Sequence, residues 1–231
     1  MGVSGLRALR RPSLCCALWL ALTSSAGVNP AVAGSEGSWA SVFAGENLNV
    51  WQRPYGGSAL NEIRGELNVR ASLNALMALL KDAQFNHRWV YRSGGARIIE
   101  SSGYDQAYVY GIVDAPWPMS DRDTVVRFDY HQDPATKVIT ITITNFPDYL
   151  PRKDALVRVP DFGGFWKLQP RGQGWVKVVY QVYGDPGGWI PVWLANRAAE
   201  ISVINTLKNL PAVVVNYEDT RSRYVEEPAV D

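Results

Sequence analysis

Cysteine is nearly absent from this 231-residue chain: there are two, Cys15 and Cys16, at the start of the first apolar run. Histidine is as scarce, and its two copies, His87 and His131, stand far apart beside turn residues. With no Cys pair and no His-x-x-x-His spacing, a metal site has no donor set to build on. No Gly-x-Ser-x-Gly elbow occurs, so a hydrolase triad has no support. The glycine pairs at 56–57, 94–95 and 163–164 are turn glycines without a phosphate-loop pattern. Asp114, Asp121, Asp123, Asp129 and Asp133 are close in sequence, but strand parity scatters them over two faces. Internal repeats, low-complexity segments and basic runs are missing as well.

The first residues read as a leader. Arg7, Arg10 and Arg11 form a basic start, and the apolar run at 14–22 is too short to span a membrane comfortably. Ala31-Val32-Ala33 then gives a small-x-small cleavage site. Residues 1–33 are therefore expected to be a signal peptide, with an uncleaved anchor as the rival reading. A lipoprotein is disfavoured, because a lipid-modified Cys should follow the apolar run. Cleavage removes both cysteines, and with them any disulfide, thiol nucleophile or Cys-ligated metal. It also takes the formal charge from +1 to −2 through loss of three arginines. A nearly neutral chain offers little attraction for nucleic acid or an anionic membrane.

What remains suits one domain at 34–217 with a polar, fraying tail at 218–231. Hydrophobic residues make up 47% and charged residues 19%, enough for a sizeable core. Nine Trp and eleven Tyr fit either an aromatic-rich sheet or a ligand pocket. Residues 39–43 could begin a short helix or docking segment. Strands are expected at 48–53 and 60–69, joined as a hairpin. Ser72 is a candidate N-cap for a helix from 73 to about 83, with Leu73, Leu76, Met77 and Leu80 at helical spacing. Strands follow at 97–101, 106–113, 124–130 and 138–144, the last alternating Ile139, Ile141 and Ile143 with threonines. Further strand-like runs are 155–159, 164–168 and 175–183.

The long helix closes the set. Asp185-Pro186-Gly187-Gly188 is a turn, Pro191 suits a first helical turn, and residues 192–210 run without Gly or Pro until Pro211. One stripe of this helix is large and apolar. The adjoining stripe, Ala195, Ala199, Ser202 and Thr206, is small or weakly polar. Packing alone would favour bulk there, so the helix is expected to cover something other than side chains. The fold class is α+β: a curved antiparallel sheet gripping a long C-terminal helix.

Three blocks carry a family resemblance. Ala115-Pro116-Trp117-Pro118-Met119-Ser120-Asp121-Arg122-Asp123 resembles the Pro-rich turn and Arg-Asp of START domains, the lipid-transfer domains related to the steroidogenic acute regulatory protein. Asp185-Pro186-Gly187-Gly188-Trp189-Ile190-Pro191-Val192-Trp193-Leu194-Ala195-Asn196 resembles the start of their last helix. Asn205-Thr206-Leu207-Lys208-Asn209-Leu210 resembles its end. The resemblance covers roughly residues 39–215.

It implies a helix-grip fold with an internal hydrophobic cavity for one lipid or sterol-like ligand and no cofactor. Cavity candidates are Tyr110, Phe128, Trp166, Ala195, Ala199, Ser202, Val203 and Thr206. The loop at 145–154 looks like the lid beside the C-terminal helix, with Phe146, Tyr149 and Leu150 as membrane contacts. Arg122 and Asp123 read as a turn ion pair at the head of a strand; the functional alternative is a contact to a ligand headgroup. Sterol-binding members can carry a buried carboxylate and arginine on neighbouring strands. This chain has no carboxylate at 107–113, and Phe128 stands at the arginine's place. The expectation is an exported, monomeric lipid carrier, periplasmic or secreted, that touches membranes transiently and binds no nucleic acid. The alternatives are an aromatase/cyclase-like enzyme of the same fold superfamily and a lipid sensor or partner-binding module that transfers nothing.

Overall fold

The computed structural model describes residues 37–226; the signal peptide expected at 1–33 lies outside them. The strands are β1 (Ala40–Ala44), β2 (Leu48–Pro54), β3 (Asn61–Arg70), β4 (Ser93–Ser102), β5 (Gln106–Val113), β6 (Arg122–Gln132), β7 (Ile139–Asn145), β8 (Val157–Arg158), β9 (Asp161–Pro170) and β10 (Trp175–Asp185). The helices are α1 (Leu73–Lys81) and α2 (Val192–Val214). One sheet runs β1-β2-β3-β10-β9-β7-β6-β5-β4, antiparallel throughout, and β8 adds a two-residue parallel pairing to β6. Three strands, a helix, a run of antiparallel strands and a long last helix keep the order expected of the α+β helix grip, with one edge strand added at the start.

Local chemistry explains most boundaries. Ser72 caps α1 by accepting from the Ala75 N–H at 3.0 Å. The Ile139, Ile141 and Ile143 alternation puts all three in the core at 0–5% exposure. The small face of β3 meets α2 at Gly65, where a Cβ would lie 2.2 Å from Leu207 Cδ1 and 3.1 Å from Val203 Cγ1. The helix therefore rests directly on β3, with Leu207, Leu210 and Val214 fully buried along its underside.

Four expectations change. Residues 39–43 are not helical: Ala40–Ala44 is an edge strand on β2, with a register shift between Ser41 and Phe43. The strand-like run at 155–159 shrinks to Val157–Arg158. Pro211 does not end α2, which continues to Val214. A proline this near a helix end removes one backbone bond, and burial of Leu210 and Val214 on the same face offsets that loss. The tail is docked as far as it is described. Tyr224 is 5% exposed and joins the core. The Glu226 carboxylate accepts from the N–H groups of Leu73 (2.9 Å) and Asn74 (2.8 Å), a second cap on α1.

Candidate functional site

Strand register divides the sheet into two faces. Ala107 and Val109 on β5 stand with Val126, Phe128 and Tyr130 on β6, the three core isoleucines of β7, Trp166 and Leu168 on β9, and Val178, Tyr180 and Val182 on β10. This concave face shares one apolar cluster with Val203, Leu207 and Leu210 of α2. Phe128, Trp166 and Val203 thus lie between sheet and helix. Trp166 is their centre: its ring stacks on Tyr180 at 3.8 Å and tilts against Trp89 at 6.3 Å.

The small stripe of α2 looks toward the segment that carries Trp89. Thr206 Oγ1 accepts from the Tyr91 N–H at 3.1 Å, and Asn209 Nδ2 donates to the Trp89 carbonyl at 2.9 Å. Ala195 and Thr206 are buried, while Ala199 and Ser202 keep accessible surface. So do Val109, Phe128, Phe162 and Tyr180 on the concave face. Burial alone drives the Tyr180 hydroxyl well above the ordinary tyrosine range.

Tyr110 belongs to the other face. It pairs with Val125 and alternates with Val109, so the parity that brings Val109 under α2 turns Tyr110 away from it. Its ring instead lies 4.6 Å from Lys153 Nζ and 5.1 Å from Arg97 Cζ. The loop at 145–154 packs on this same convex face rather than beside α2. Phe146 meets Tyr108 edge-on at 5.3 Å, Tyr149 stacks on Tyr108 at 4.4 Å, and the Tyr149 hydroxyl donates to Glu100 at 2.5 Å. Leu150 is half-buried, and its carbonyl accepts from Arg158 Nη1 at 3.0 Å.

Arg158 also overturns the expected Arg122–Asp123 pair. Asp123 is bound by Arg158 through two parallel hydrogen bonds, Nε to Oδ1 at 2.8 Å and Nη2 to Oδ2 at 2.9 Å, with side chains 1% and 0% exposed. The Arg158 guanidinium holds the Asp123 carboxyl below the usual carboxylate range. The remaining donors of Arg158 tie down the Pro147, Leu150 and Pro151 carbonyls of the convex loop. The partner escaped the sequence reading because it sits 35 residues away in a two-residue strand.

Arg122 is left at the head of β6 with a different environment. It is 8% exposed, its Nη1 donates to the Ser120 carbonyl, and its Nε has no hydrogen-bond partner. The loop just before it and the turn into α2 carry an exposed aromatic rim, whose Trp117 and Trp189 the sequence reading did not single out. Trp117 and Trp189 are each 92% exposed and Trp193 is 71% exposed. Val157 joins the two sides of this rim. Its N–H donates to the Asp121 carbonyl of the Trp117 loop, and Gly187 and Gly188, just before Trp189, lie over its side chain. The available signal was local: Trp117 stands between two prolines and Trp189 after two glycines, and such turn residues hold a ring outside the core.

One further site is plainer. At the far end of β6, a polar surface pocket of about 300 Å³ is lined by Asp105, Tyr130, His131, Gln132, Arg223 and Tyr224. Among the described residues, no group of three His, Cys, Asp or Glu side chains is arranged to hold a metal ion.

No protein-family model matches the chain. It is 34% identical to the uncharacterized protein PA1579 of Pseudomonas aeruginosa over 71% of this chain and 81% of that protein. Phosphatidylcholine transfer protein of Bos taurus is 35% identical over 52% of this chain and 57% of its own. The crystal structure of a STAR-related lipid transfer protein fragment from Xanthomonas axonopodis superposes with a TM-score of 0.71 at 33% identity, covering 77% of this chain and 98% of the fragment. With this fold, the three sequence blocks and these relatives in agreement, the chain belongs to the START family of StAR-related lipid-transfer domains.

Proposed function

We propose that the protein is an exported carrier that holds one hydrophobic molecule between the concave face of the sheet and α2 and hands it over at a membrane. The observation that carries this reading is the aromatic lining beneath α2, where Tyr180 stacks on buried Trp166 and still keeps accessible surface. Phe128, Val109, Ala199 and Ser202 keep surface around the same region. Relatives named for lipid and phosphatidylcholine transfer support the same reading. Binding is driven by removing ligand hydrocarbon from water, roughly 25 cal/mol per Å² of apolar area, with no cofactor or covalent step.

Membrane contact is assigned to the rim of Trp117, Trp189 and Trp193 rather than to Phe146, Tyr149 and Leu150. Indole rings prefer the headgroup level of a bilayer, whereas Phe146 packs edge-on and Tyr149 stacks against Tyr108.

The test is native mass spectrometry of protein purified from its own host, with extraction of the bound molecule, on the parent and on Ser202→Trp. The indole fills the space beside α2, so the variant is expected to melt like the parent and carry little or no ligand. Equal loading of both proteins refutes the cavity. Transfer between two liposome populations separates a carrier from a sensor that binds without delivering.

A further inference from the structure

Arg122 is a buried cation with no counter-ion. Among the described residues, well-covered Arg158 and Arg53 have Asp123 and Glu62, and half-covered Arg64 and Arg127 have Glu66 and Asp129. Arg122 has no carboxylate within ion-pair distance among the described residues, and one protein hydrogen bond, to Ser120. Neighbouring Asp121 acts on it only through space and spends an oxygen on the Ala115 N–H at 2.8 Å. Burying a charge without a partner is strongly unfavourable, so a fold that keeps one there has a use for it.

The direction of the side chain follows from the ladder. Arg122 pairs with Val157 and Asp123 with Arg158 in the β6–β8 parallel strip. Asp123 and Arg158 occupy the convex face, so Arg122 and Val157 turn to the concave one. Val157 there supports the Gly187–Gly188 turn, with its Cγ1 3.2 Å from where a Gly187 Cβ would sit. Arg122 therefore lies beneath the tryptophan rim, beside the turn that leads into α2. The first turn of α2 has no acidic residue and no side-chain cap, so nothing on that turn offsets the positive end of the helix.

Resting on the carrier reading above, we propose that Arg122 binds the oxyanion of the carried lipid, a phosphate diester or a carboxylate, at the mouth of the cavity. The planar guanidinium suits such a group, and its Nη2, which makes no hydrogen bond among the described residues, is the donor it offers. The hydrocarbon then points inward along β6, toward Phe128 and Trp166.

The experiment loads lipid-stripped full-length protein from vesicles containing phosphatidylglycerol, phosphatidylcholine, oleate or diacylglycerol, and reads bound lipid by native mass spectrometry. Arg122→Met and Arg122→Lys are compared with the parent. The parent should take up the phosphate- and carboxylate-bearing lipids. Arg122→Met should take up about ten- to a hundredfold less of them, the worth of a charge-assisted bond, with diacylglycerol uptake unchanged. Arg122→Lys should fall between, since the charge remains and the fork is lost. Removing an unpaired buried charge should leave the melting temperature of Arg122→Met equal or higher. Equal uptake of anionic lipid by Arg122→Met overturns the inference. Loss of every lipid together with a lower melting temperature also overturns it, by making Arg122 structural. Inorganic phosphate that stabilises the parent but not Arg122→Met, with lipid uptake unaffected, would assign the site to free phosphate and overturn the lipid assignment. A parent that takes up no lipid of any kind refutes the carrier reading itself.

Discussion

Replacing Arg158 with Met removes one partner of the most deeply buried ion pair among the described residues and leaves Asp123 at 0% exposure without a counter-charge. Breaking a buried pair from one side destabilises by about 3–5 kcal/mol. The loop carbonyls of Pro147, Leu150 and Pro151 also lose their donor, but they lie near the surface and can turn to water, so the upper half of that range is not needed. A loss of about 4 kcal/mol corresponds to a melting temperature lower by roughly 8–16 °C for a domain of this size. Urea unfolding followed by tryptophan fluorescence gives the free energy directly. A double variant, Arg158→Met with Asp123→Leu, should recover most of the loss, because replacing both charges with apolar groups is close to neutral. Acid adds a signature with a definite sign. Arg158 depresses the Asp123 pKa in the native state, so the pair's contribution is complete above the unfolded carboxyl value of about 4 and fades as pH falls through the native one. The gap between the parent and Arg158→Met must therefore narrow below about pH 4. A single variant that costs less than about 1 kcal/mol, or a gap that widens in acid, refutes this account of the convex face.

Two other consequences can be checked with simple variants. Trp117→Ala combined with Trp189→Ala should leave the melting temperature within about 2 °C of the parent, as expected for side chains 92% exposed, while co-sedimentation with liposomes falls by about tenfold or more; unchanged sedimentation removes these rings from the membrane face. Glu226→Ala should destabilise by about 1–2 kcal/mol in chemical denaturation, since it strips the N–H groups of Leu73 and Asn74 of their acceptor, and an unaffected midpoint would mean that the docked tail contributes nothing.

The sequence carried most of the element order in local chemistry, in the alternation of β7, Ser72 before α1, and glycine and proline before α2, but not edge strand β1, which exists through its pairing with β2. It also marked the small stripe of α2 as unusual, since a run of Ala, Ser and Thr beside an apolar stripe breaks ordinary packing. Which face of a strand meets the helix was not local. β5 alternates large Tyr108 and Tyr110 with small Ala107, Val109 and Gly111, and size alone favours the tyrosines for the interior. Tertiary structure decided the reverse: α2 and the concave aromatics fill the small side, while the loop at 145–154 and Arg158 cover the tyrosines. Partner choice was equally non-local. Asp123 is adjacent to Arg122 in the chain, but neighbours in a strand point to opposite faces, so its counter-ion had to come from another strand. Tyr224 sits among polar residues that promise a loose end, and only the gap between α1 and β6 gives it a place in the core. Periodicity and turn chemistry set the elements, and the choice between two faces of one sheet, made by long-range packing, set which residues lie beneath α2.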